Sequence, residues 1–480
     1  MKKLLDKPFH LILKLLEHFY KKTPQETINY YSDFLNVDRR TILKILTDLE
    51  RDIADCQWEN QLTLEVTETK IIANISTNFS LENFYRYYME RSLCVELVQS
   101  IFKEPEISLD QIIENFFVSR TTFYRRITPL KEVLAEFDLE LDFTKKQYII
   151  GDEKQIRYFF SIFFWEIFRS TGNYIYPALR DKNYLVTIQT SLKLDLPNYL
   201  YFKLYLNIAL TRISQGYEVK YSIPYPIREV SYSYSQFKEL CLPYFDKLSP
   251  IQQNKEIHTL YFFCLTSTMY PKSVTNTIAI QNVQPLPFAH FWILYYTEYF
   301  NTTLSNEDYV YLYLNLIIIY EKNNTFRGGT SSFGVNSVTE VLMEENPEVL
   351  KHSTRFFEFL SEKEEEFHVA PFQKLNYTLL IRRLLISAAP PLNILVCSKI
   401  GQEETEWIQN LIQKISSIPV KFQSADYSDL DLIISDFPLP PELIVVPSDK
   451  LFMWLTFPSL REWRALLLKM EEIYYLKFNI

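Results

Sequence analysis

The chain has 480 residues, of which 47% are hydrophobic and only 7 are glycine. This length suffices for about three to five globular domains, and the scarcity of glycine disfavours glycine-rich phosphate loops and favours long helices. The five cysteines include no CxxC pair, which argues against a disulfide framework or a structural zinc site. The apolar runs are too short to span a bilayer, so we expect a cytoplasmic protein with no membrane partner.

The net charge of −9 at pH 7 does not by itself suggest a nucleic-acid partner. Contacts to DNA depend on the local charge of one surface, however, so the regional pattern has to decide. Two stretches of the N-terminal third, residues 37–42 and 118–123, share a pattern. Each begins a helix with a good N-cap, Asp38 or Ser119, flanked by apolar residues at hydrophobic-staple spacing.

A capped helix is predicted before each of these helices, and a hairpin after it. Residues 23–26 form a capping-box pattern with Pro24 at the first helical position, and residues 108–111 form a second. Alternating apolar residues predict hairpins at 62–75 and 139–150. Two helices joined by a short turn and followed by a hairpin are typical of a winged helix-turn-helix.

The second helix of each pair carries local positive charge, since residues 118–131 contain three arginines and a lysine but no acid. Such a helix fits the major groove of DNA, and basic residues at a wing tip suit phosphate. Double-stranded DNA is therefore the expected partner. The candidate DNA-binding residues are Arg39, Arg40, Thr41, Lys44, Ser119, Arg120, Thr121, Thr122, Tyr124, Arg125, Arg126, Lys145 and Lys146.

A second internal repeat lies in the aromatic-rich middle of the chain. Residues 204–212 resemble residues 312–320, and both segments are apolar nearly all round, which predicts two core helices one all-α domain apart. After Pro390 and Pro391 the pattern changes. Strands are predicted at 392–397, 420–425, 432–435 and 443–446, with helices at 403–416 and 459–475, so a small α/β domain with a largely parallel sheet is expected.

This order of parts resembles the Mga/AtxA family of virulence regulators from Gram-positive bacteria. The resemblance implies a multidomain, mainly α chain. Its parts would be winged helix-turn-helix domains at 1–76 and 77–155, all-α phosphotransferase-system regulation domains (PRDs) at 156–280 and 281–388, and an enzyme IIB-like α/β domain at 389–480. It also implies promoter binding with low sequence specificity and a homodimer or higher oligomer formed through the C-terminal parts. Control by a phosphotransferase-system phosphocarrier would follow.

The chain departs from the PRD pattern at the phosphoacceptor positions. Tyr205 and Tyr313 stand where PRDs commonly place a histidine, and Tyr320 stands where they place an arginine. His258 and His368 are the remaining candidate acceptors. A phosphate on either would add about 1.5 to 2 negative charges at a helical interface and so shift an oligomer equilibrium.

Cys397 ends the first strand of the last domain, where an enzyme IIB carries its phosphocysteine. Three glutamates follow within nine residues and would repel a phosphate, so a structural role is expected rather than an enzymatic one, with no cofactor. The alternative functions are a PRD-containing antiterminator that binds RNA, a phosphotransferase-system phosphocarrier protein and an interaction scaffold. Capped helices in place of a small β RNA-binding domain disfavour the antiterminator.

Overall fold

The computed structural model describes residues 2–21, 25–67, 69–168, 182–221, 223, 233–275, 286–329, 332, 347–364, 367, 374–388, 391–423, 429–439 and 447–477. The chain is mainly helical and divides into two compact units. The N-terminal unit comprises Met1–Tyr225, Ser231–Thr268 and Lys322–Val335, and the C-terminal unit comprises Pro226–Val230, Met269–Glu321 and Asn336–Ile480. The five domain boundaries expected from the sequence stay predictions.

The N-terminal unit begins with three helices and a three-stranded antiparallel sheet in the order β1-β3-β2. The hairpin predicted at 62–75 is confirmed, with Leu62 opposite Ile75 and Val66 opposite Ile71. The elements are α1 (Lys7–Lys21), β1 (Gln25–Thr27), α2 (Ile28–Leu35), α3 (Arg39–Asp55), β2 (Leu62–Val66) and β3 (Lys70–Ile75).

The capping box predicted at 23–26 is wrong. Residues 23 and 24 lie outside the described residues, and Gln25 and Glu26 belong to β1, which pairs antiparallel with β3. Pairing with the sheet satisfies backbone groups that a helix start would leave free. The helix α2 instead begins at Ile28, where the side chain of Thr27 accepts from the backbone N–H of Tyr30 at 3.1 Å.

A second set of helices follows, with a shorter hairpin. The capping box at Ser108 and Gln111 is confirmed. The hairpin predicted at 139–150 is present, but only Glu140–Leu141 and Ile149–Ile150 pair. The elements are α4 (Leu81–Glu90), α5 (Leu93–Lys103), α6 (Leu109–Asn115), α7 (Arg120–Arg126), α8 (Thr128–Glu136), β4 (Glu140–Leu141), β5 (Ile149–Ile150) and α9 (Glu153–Phe168).

Two buried or half-buried carboxylates tie the first set of helices to the second. The Asp52 carboxylate, on α3, accepts from the hydroxyls of Tyr87 and Tyr88 at 3.2 and 2.9 Å and from Arg91 at 3.3 Å. The Asp6 carboxylate accepts two bonds from the Arg126 guanidinium, at 3.2 and 2.6 Å. The helices α3 and α7 are the second helices of the two predicted pairs. Both are therefore fixed by charge-assisted hydrogen bonds to residues of other elements.

The rest of the N-terminal unit is a helical bundle around α11. This helix contains the first copy of the internal repeat, and the predicted core role of the repeat is confirmed because Leu204, Tyr205, Leu206 and Ile208 are buried. The helices are α10 (Lys182–Ser191), α11 (Leu196–Ser214), α12 (Tyr234–Cys241) and α13 (Pro250–Thr266), with a 3-10 turn at Leu242–Phe245.

A buried network of two arginines and two glutamates joins α9, α11 and α13. Arg157 donates to Glu256 at 2.5 and 3.3 Å and to Glu153 at 2.9 Å. Arg212 donates both arms of its guanidinium to Glu153 at 3.0 and 2.7 Å. Burial alone would lower the pKa of the Arg157 guanidinium, but the facing Glu256 and Glu153 carboxylates outweigh it and the pKa is raised. The four charges cancel, which makes their burial tolerable.

The C-terminal unit packs helices and a four-stranded sheet around one continuous apolar core, which includes Trp292, Phe356, Ile394 and Tyr474. The sheet order is β7-β6-β8-β9 and all three strand pairs are parallel, as predicted. The elements are α14 (Lys272–Thr275), α15 (Pro287–Tyr299), most of α16 (Asn306–Thr325), α17 (Pro347–Lys363), α18 (Lys374–Ala388), β6 (Leu392–Cys397), α19 (Gln402–Ile415), β7 (Val420–Phe422), β8 (Leu432–Ser435), β9 (Leu451–Met453) and α20 (Leu460–Lys477).

The strand β9 was not predicted, and the strand expected at 443–446 lies outside the described residues. The predicted strand at 420–425 is observed as Val420–Phe422. Across the part of the chain that the structure describes, no helix combines the length and apolarity needed to cross a bilayer.

The buried network generates a stability prediction. We expect Glu256→Gln to destabilise the N-terminal unit by about 3 to 5 kcal/mol, because it leaves the Arg157 guanidinium buried without a full counter-charge. The double change Arg157→Met with Glu256→Leu should cost far less than the sum of the two single changes. Hydrogen–deuterium exchange of the α9 amides measures the effect locally.

The matched control is Lys469→Met, which breaks the half-exposed Lys469–Glu472 pair of α20. An exposed pair contributes about 1 kcal/mol or less, so exchange in α20 should change little. Equal effects of Glu256→Gln and Lys469→Met would contradict the structural importance of the network.

Candidate nucleic-acid interface

The helix α3 buries one face and leaves its basic face exposed. Ile42, Ile45, Leu46 and Leu49 are buried, whereas Arg39, Arg40 and Lys44 are exposed. The predicted N-cap is confirmed, since the Asp38 carboxylate accepts from the backbone N–H of Thr41 at 2.8 Å and from its hydroxyl at 3.0 Å. These bonds hold the pKa of Asp38 below its usual value. The hydroxyl of Thr41 is thus held at the start of the helix.

The short helix α7 presents a similar face. Ser119 caps it by accepting from the backbone N–H of Thr122 at 3.2 Å, and the two hydroxyls lie 2.9 Å apart. Phe123 is buried beneath the helix. The exposed side chains are Arg120, Thr121, Tyr124 and Arg125.

Apart from Arg126, the candidate basic side chains of these two helices face outward. The Arg120 guanidinium bonds Asp110, but both side chains are more than half exposed, at 61% and 75%. Such pairs are weak and are readily exchanged for another anion. Within the described part of the chain, neither Arg40 nor Arg125 forms an ion pair. None of these three arginines is turned inward onto a buried carboxylate.

The hairpin beside α7 adds two lysines at its tip. Lys145 and Lys146 are both exposed, and Lys146 pairs with the exposed Glu106 at 2.8 Å. Phe143, at the base of the tip, contacts Phe123 at 5.7 Å and Tyr124 at 6.3 Å between ring centroids. The aromatic contacts therefore fix the hairpin against the helix that it flanks.

Arg126 differs from the other candidates. Its guanidinium is half-buried and forms the two bonds to Asp6 described above. This geometry favours an anchoring role for Arg126 within the protein. No local sequence pattern indicates this role, because Asp6 lies 120 residues away along the chain.

One exposed residue beside α7 was missed by the sequence reasoning. Phe117, in the turn between α6 and α7, is 95% exposed and has a positive φ of 51°. The apolar pair Phe116 and Phe117 predicts burial, and Phe116 is indeed half-buried and stacked at 6.3 Å on Phe123. The backbone conformation of the turn therefore decides that the ring of Phe116 is packed and the ring of Phe117 is exposed.

The helix α9 connects the basic helices with the buried charge network. Phe160 and Phe164 of α9 contact Phe102 of α5 at 4.7 and 4.9 Å. Phe159 contacts Phe137, which follows α8, at 5.3 Å. The same helix carries Glu153 and Arg157, so one rigid element shares its core with α5 and α8 and its charges with α11 and α13.

The region around α7 is similar to a known family of domains. Residues 77–164, which run from before α4 into α9, match the family model of the Mga helix-turn-helix domain. A candidate trans-acting regulator of Streptococcus pneumoniae serotype 4 is 23% identical over an alignment that covers 92% of this chain and 94% of that protein. These matches make the chain similar to the Mga family of transcription regulators.

A second relative matches a shorter part. The candidate transcriptional regulator MtlR of Streptococcus mutans serotype c is 29% identical over 129 residues, which are 26% of this chain and 19% of that protein. Both relatives carry names of regulators. The family therefore points to a transcription regulator rather than an enzyme.

The phosphoacceptor candidates predicted from the sequence lie in unlike surroundings. Tyr205, at the first predicted acceptor position, is fully buried and stacks on Phe263 at 3.9 Å. His258 is half-buried, with its ring 4.4 Å from that of Tyr234. Burial, together with the nearby charge of Lys238, lowers the pKa of the His258 imidazole. His368 lies outside the described residues.

The loop after Cys397 binds a carboxylate of the protein itself. The Asp436 carboxylate, which directly follows β8, accepts from the backbone N–H of Lys399 at 2.8 Å and from the Ser398 hydroxyl at 3.2 Å. A bound phosphate would need these same donors. Burial, with the Asp436 charge as a smaller cause, raises the pKa of the Cys397 thiol, which favours the thiol over the nucleophilic thiolate.

No group of metal-ligating side chains that would hold a metal ion occurs among the residues that the structure describes.

The described surface of the N-terminal unit offers exposed basic and hydroxyl side chains on α3, α7 and the hairpin tip. These groups suit a polyanion, because they are donors aimed at solvent.

The raised pKa of Cys397 generates a test. We expect iodoacetamide to label Cys397 more slowly at pH 7 in the folded chain than in the urea-unfolded chain, because less thiolate is present. The difference should narrow as the pH rises above the ordinary cysteine value of about 8.5. Peptide mass spectrometry reports the labelling of this cysteine separately from the others.

Asp436→Asn is the matched variant, since it removes the negative charge and keeps an oxygen acceptor for the Lys399 N–H. Its Cys397 should label faster at pH 7 than that of the unchanged chain. A labelling rate in the unchanged chain that is already maximal below pH 7 would show a thiolate and contradict the prediction.

Proposed function

We propose that this chain, like the Mga family that it resembles, regulates transcription, and that it binds promoter duplexes through α3 and α7 with low sequence specificity. The observation that carries the proposal is the exposed row on α7, inside the segment that matches the family model: Arg120, Thr121, Tyr124 and Arg125. A helix of this kind fits the major groove, where arginine bonds guanine or phosphate and a hydroxyl bonds either. Arg39, Arg40, Thr41 and Lys44 supply a second set on α3.

The charges of this surface support contact with phosphate more than base readout. Phosphate contacts supply most of the affinity of a sequence-tolerant binder and make it strongly dependent on salt. Lys145 and Lys146 at the hairpin tip extend the basic surface beyond α7. The acids Asp110 and Glu106 are exposed, so phosphates of the duplex can replace them as partners of Arg120 and Lys146.

The binding test removes two charges from α7. Arg120→Ala with Arg125→Ala should weaken binding to duplex DNA and reduce the magnitude of the slope of log K against log salt concentration by about two, since about one unit is lost for each phosphate contact. Asp110→Asn, which removes an acid from the same surface, should strengthen binding. Fluorescence anisotropy across a salt series measures all three proteins.

The matched control is Lys414→Ala with Arg461→Ala, which removes two exposed positive charges from the C-terminal α/β region. This control should leave the salt slope unchanged. A double variant of α7 that binds as the unchanged chain does would defeat the assignment of α7 as a DNA-contacting helix.

We further propose that the chain forms a homodimer or higher oligomer through its C-terminal α/β region. The observation that supports this is a run of exposed apolar side chains after the edge strand β9: Leu455 at 66%, Phe457 at 78% and Leu460 at 89% exposed. Exposed apolar groups of this size are typical of interaction surfaces. Dimerisation would place two copies of the basic surface on one duplex, which raises the apparent affinity.

The oligomer test uses Phe457→Asp with Leu460→Asp, which should lower the mass in solution measured by sedimentation velocity. The control is Ile251→Asp, which changes a residue that is 71% exposed in the N-terminal unit and should leave the mass unchanged. An unchanged mass of the double variant would contradict the use of this surface.

Control of the regulator is proposed to act through the helical part of the N-terminal unit. Among the described residues, His258 is the candidate acceptor for a phosphotransferase-system phosphocarrier, because the lowered pKa favours the neutral imidazole that attacks phosphorus. Its phosphate would add about 1.5 to 2 negative charges beside Tyr234. The helix α13, which carries His258, also carries Glu256 of the buried network, so the change would reach α9.

A further inference from the structure

Phe117 is the most exposed aromatic side chain on the proposed DNA-binding surface. It lies two residues before Ser119, the N-cap of α7, and is 95% exposed. Its neighbour Val118 is half-buried, and its neighbour Phe116 packs on Phe123. Single exposed apolar side chains are common on protein surfaces, so the exposure of Phe117 has to be considered together with its backbone conformation.

The backbone of Phe117 is strained as well. Its φ of 51° lies in the left-handed region, which bulky side chains rarely adopt. The equivalent position of the first pair of helices is Asn36, two residues before the N-cap Asp38, with a φ of 50°. Asparagine tolerates this conformation far better than phenylalanine. The turn therefore requires the left-handed conformation but does not require an aromatic ring.

The surroundings of Phe117 indicate its partner. Arg120, Thr121 and Tyr124 are exposed on the following helix, and Arg125 lies exposed near its end. A basic surface of this kind selects a polyanion, and an apolar ring at its edge needs an apolar group on that polyanion. In the major groove of DNA the 5-methyl group of thymine is the bulkiest apolar group on the base edges, and it is the usual site of apolar contact.

We infer that Phe117 is a specificity-determining residue that packs on a thymine 5-methyl group in the major groove beside α7. The inference rests on the proposed function and refines it. Phosphate contacts by the arginines would supply affinity for any sequence, whereas Phe117 would add a preference for thymine at one position. Exposure and backbone strain in the free protein are then explained by the contact made in the complex.

The test compares two duplexes and two variants. One A·T-rich duplex carries thymine and the other carries deoxyuridine at every thymine position, so that they differ only in methyl groups. The unchanged chain should bind the thymine duplex about fourfold more tightly, the value expected for burial of one methyl group. Phe117→Ala and Phe117→Asn should lose this preference and keep the salt slope of the unchanged chain.

Phe117→Asn also separates binding from stability. Because Asn36 has the same conformation at the equivalent position, Phe117→Asn should unfold at an unchanged or higher temperature while its preference for thymine disappears. A lower unfolding temperature of Phe117→Asn would show that the ring supports the fold and would overturn the inference.

The remaining outcomes distinguish this inference from the proposed function. An unchanged chain with equal affinity for the two duplexes, or variants that keep its preference, would overturn the role of Phe117 alone. A lower mass in solution for the variants would assign the ring to a protein contact and also overturn it. Weaker duplex binding with a reduced salt slope is expected for Arg120→Ala with Arg125→Ala in either case, and unchanged binding would count against the proposed function instead.

Discussion

The buried charge network is the constraint on which the N-terminal unit depends. Arg157 and Arg212 are removed from water and are tolerated only because Glu153 and Glu256 face them with short, paired hydrogen bonds. Apolar packing alone would allow α9 to slide or rotate against α11 and α13, whereas directional bonds between buried charges permit one register. The position of α9, and of everything packed on it, follows from these four side chains.

This constraint gives a physical route between the helical bundle and the basic helices. The helix α9 contacts Phe102 and Phe137 of the neighbouring helices, and the backbone of Arg327 exchanges two hydrogen bonds with the side chain of Gln155 near its start. Because Glu256 of α13 bonds Arg157 of α9, a displacement of α13 would disturb this ion pair and so move α9. Regulation through such a core would require no contact between a ligand and the proposed DNA-binding surface.

Sequence patterns predicted local features such as helix caps well, but they did not predict contacts between residues far apart in the chain. The caps Asp38, Ser108 and Ser119 were predicted because a cap depends on residues within four positions. The strand β1 was not predicted, because its partner β3 lies about 45 residues further along the chain. Pairing with β3 outweighed the local capping pattern. The partners Asp6 of Arg126 and Glu256 of Arg157 were not predicted either, because each lies about 100 residues or more from its arginine. Phe117 was missed because apolar character predicts burial, and only the backbone conformation of the turn turns its ring to solvent.

The anchoring of α3 and α7 has a consequence for the shape of a duplex bound in the way proposed. Asp52 holds α3 against Tyr88, and Asp6 holds the end of α7 through Arg126, so both helices belong to one compact body with a set separation. A protein of this kind is a fixed template. A duplex bound to both helices, as proposed, would have to match this separation, so sequences that deform easily would gain a preference in addition to the one that Phe117 supplies.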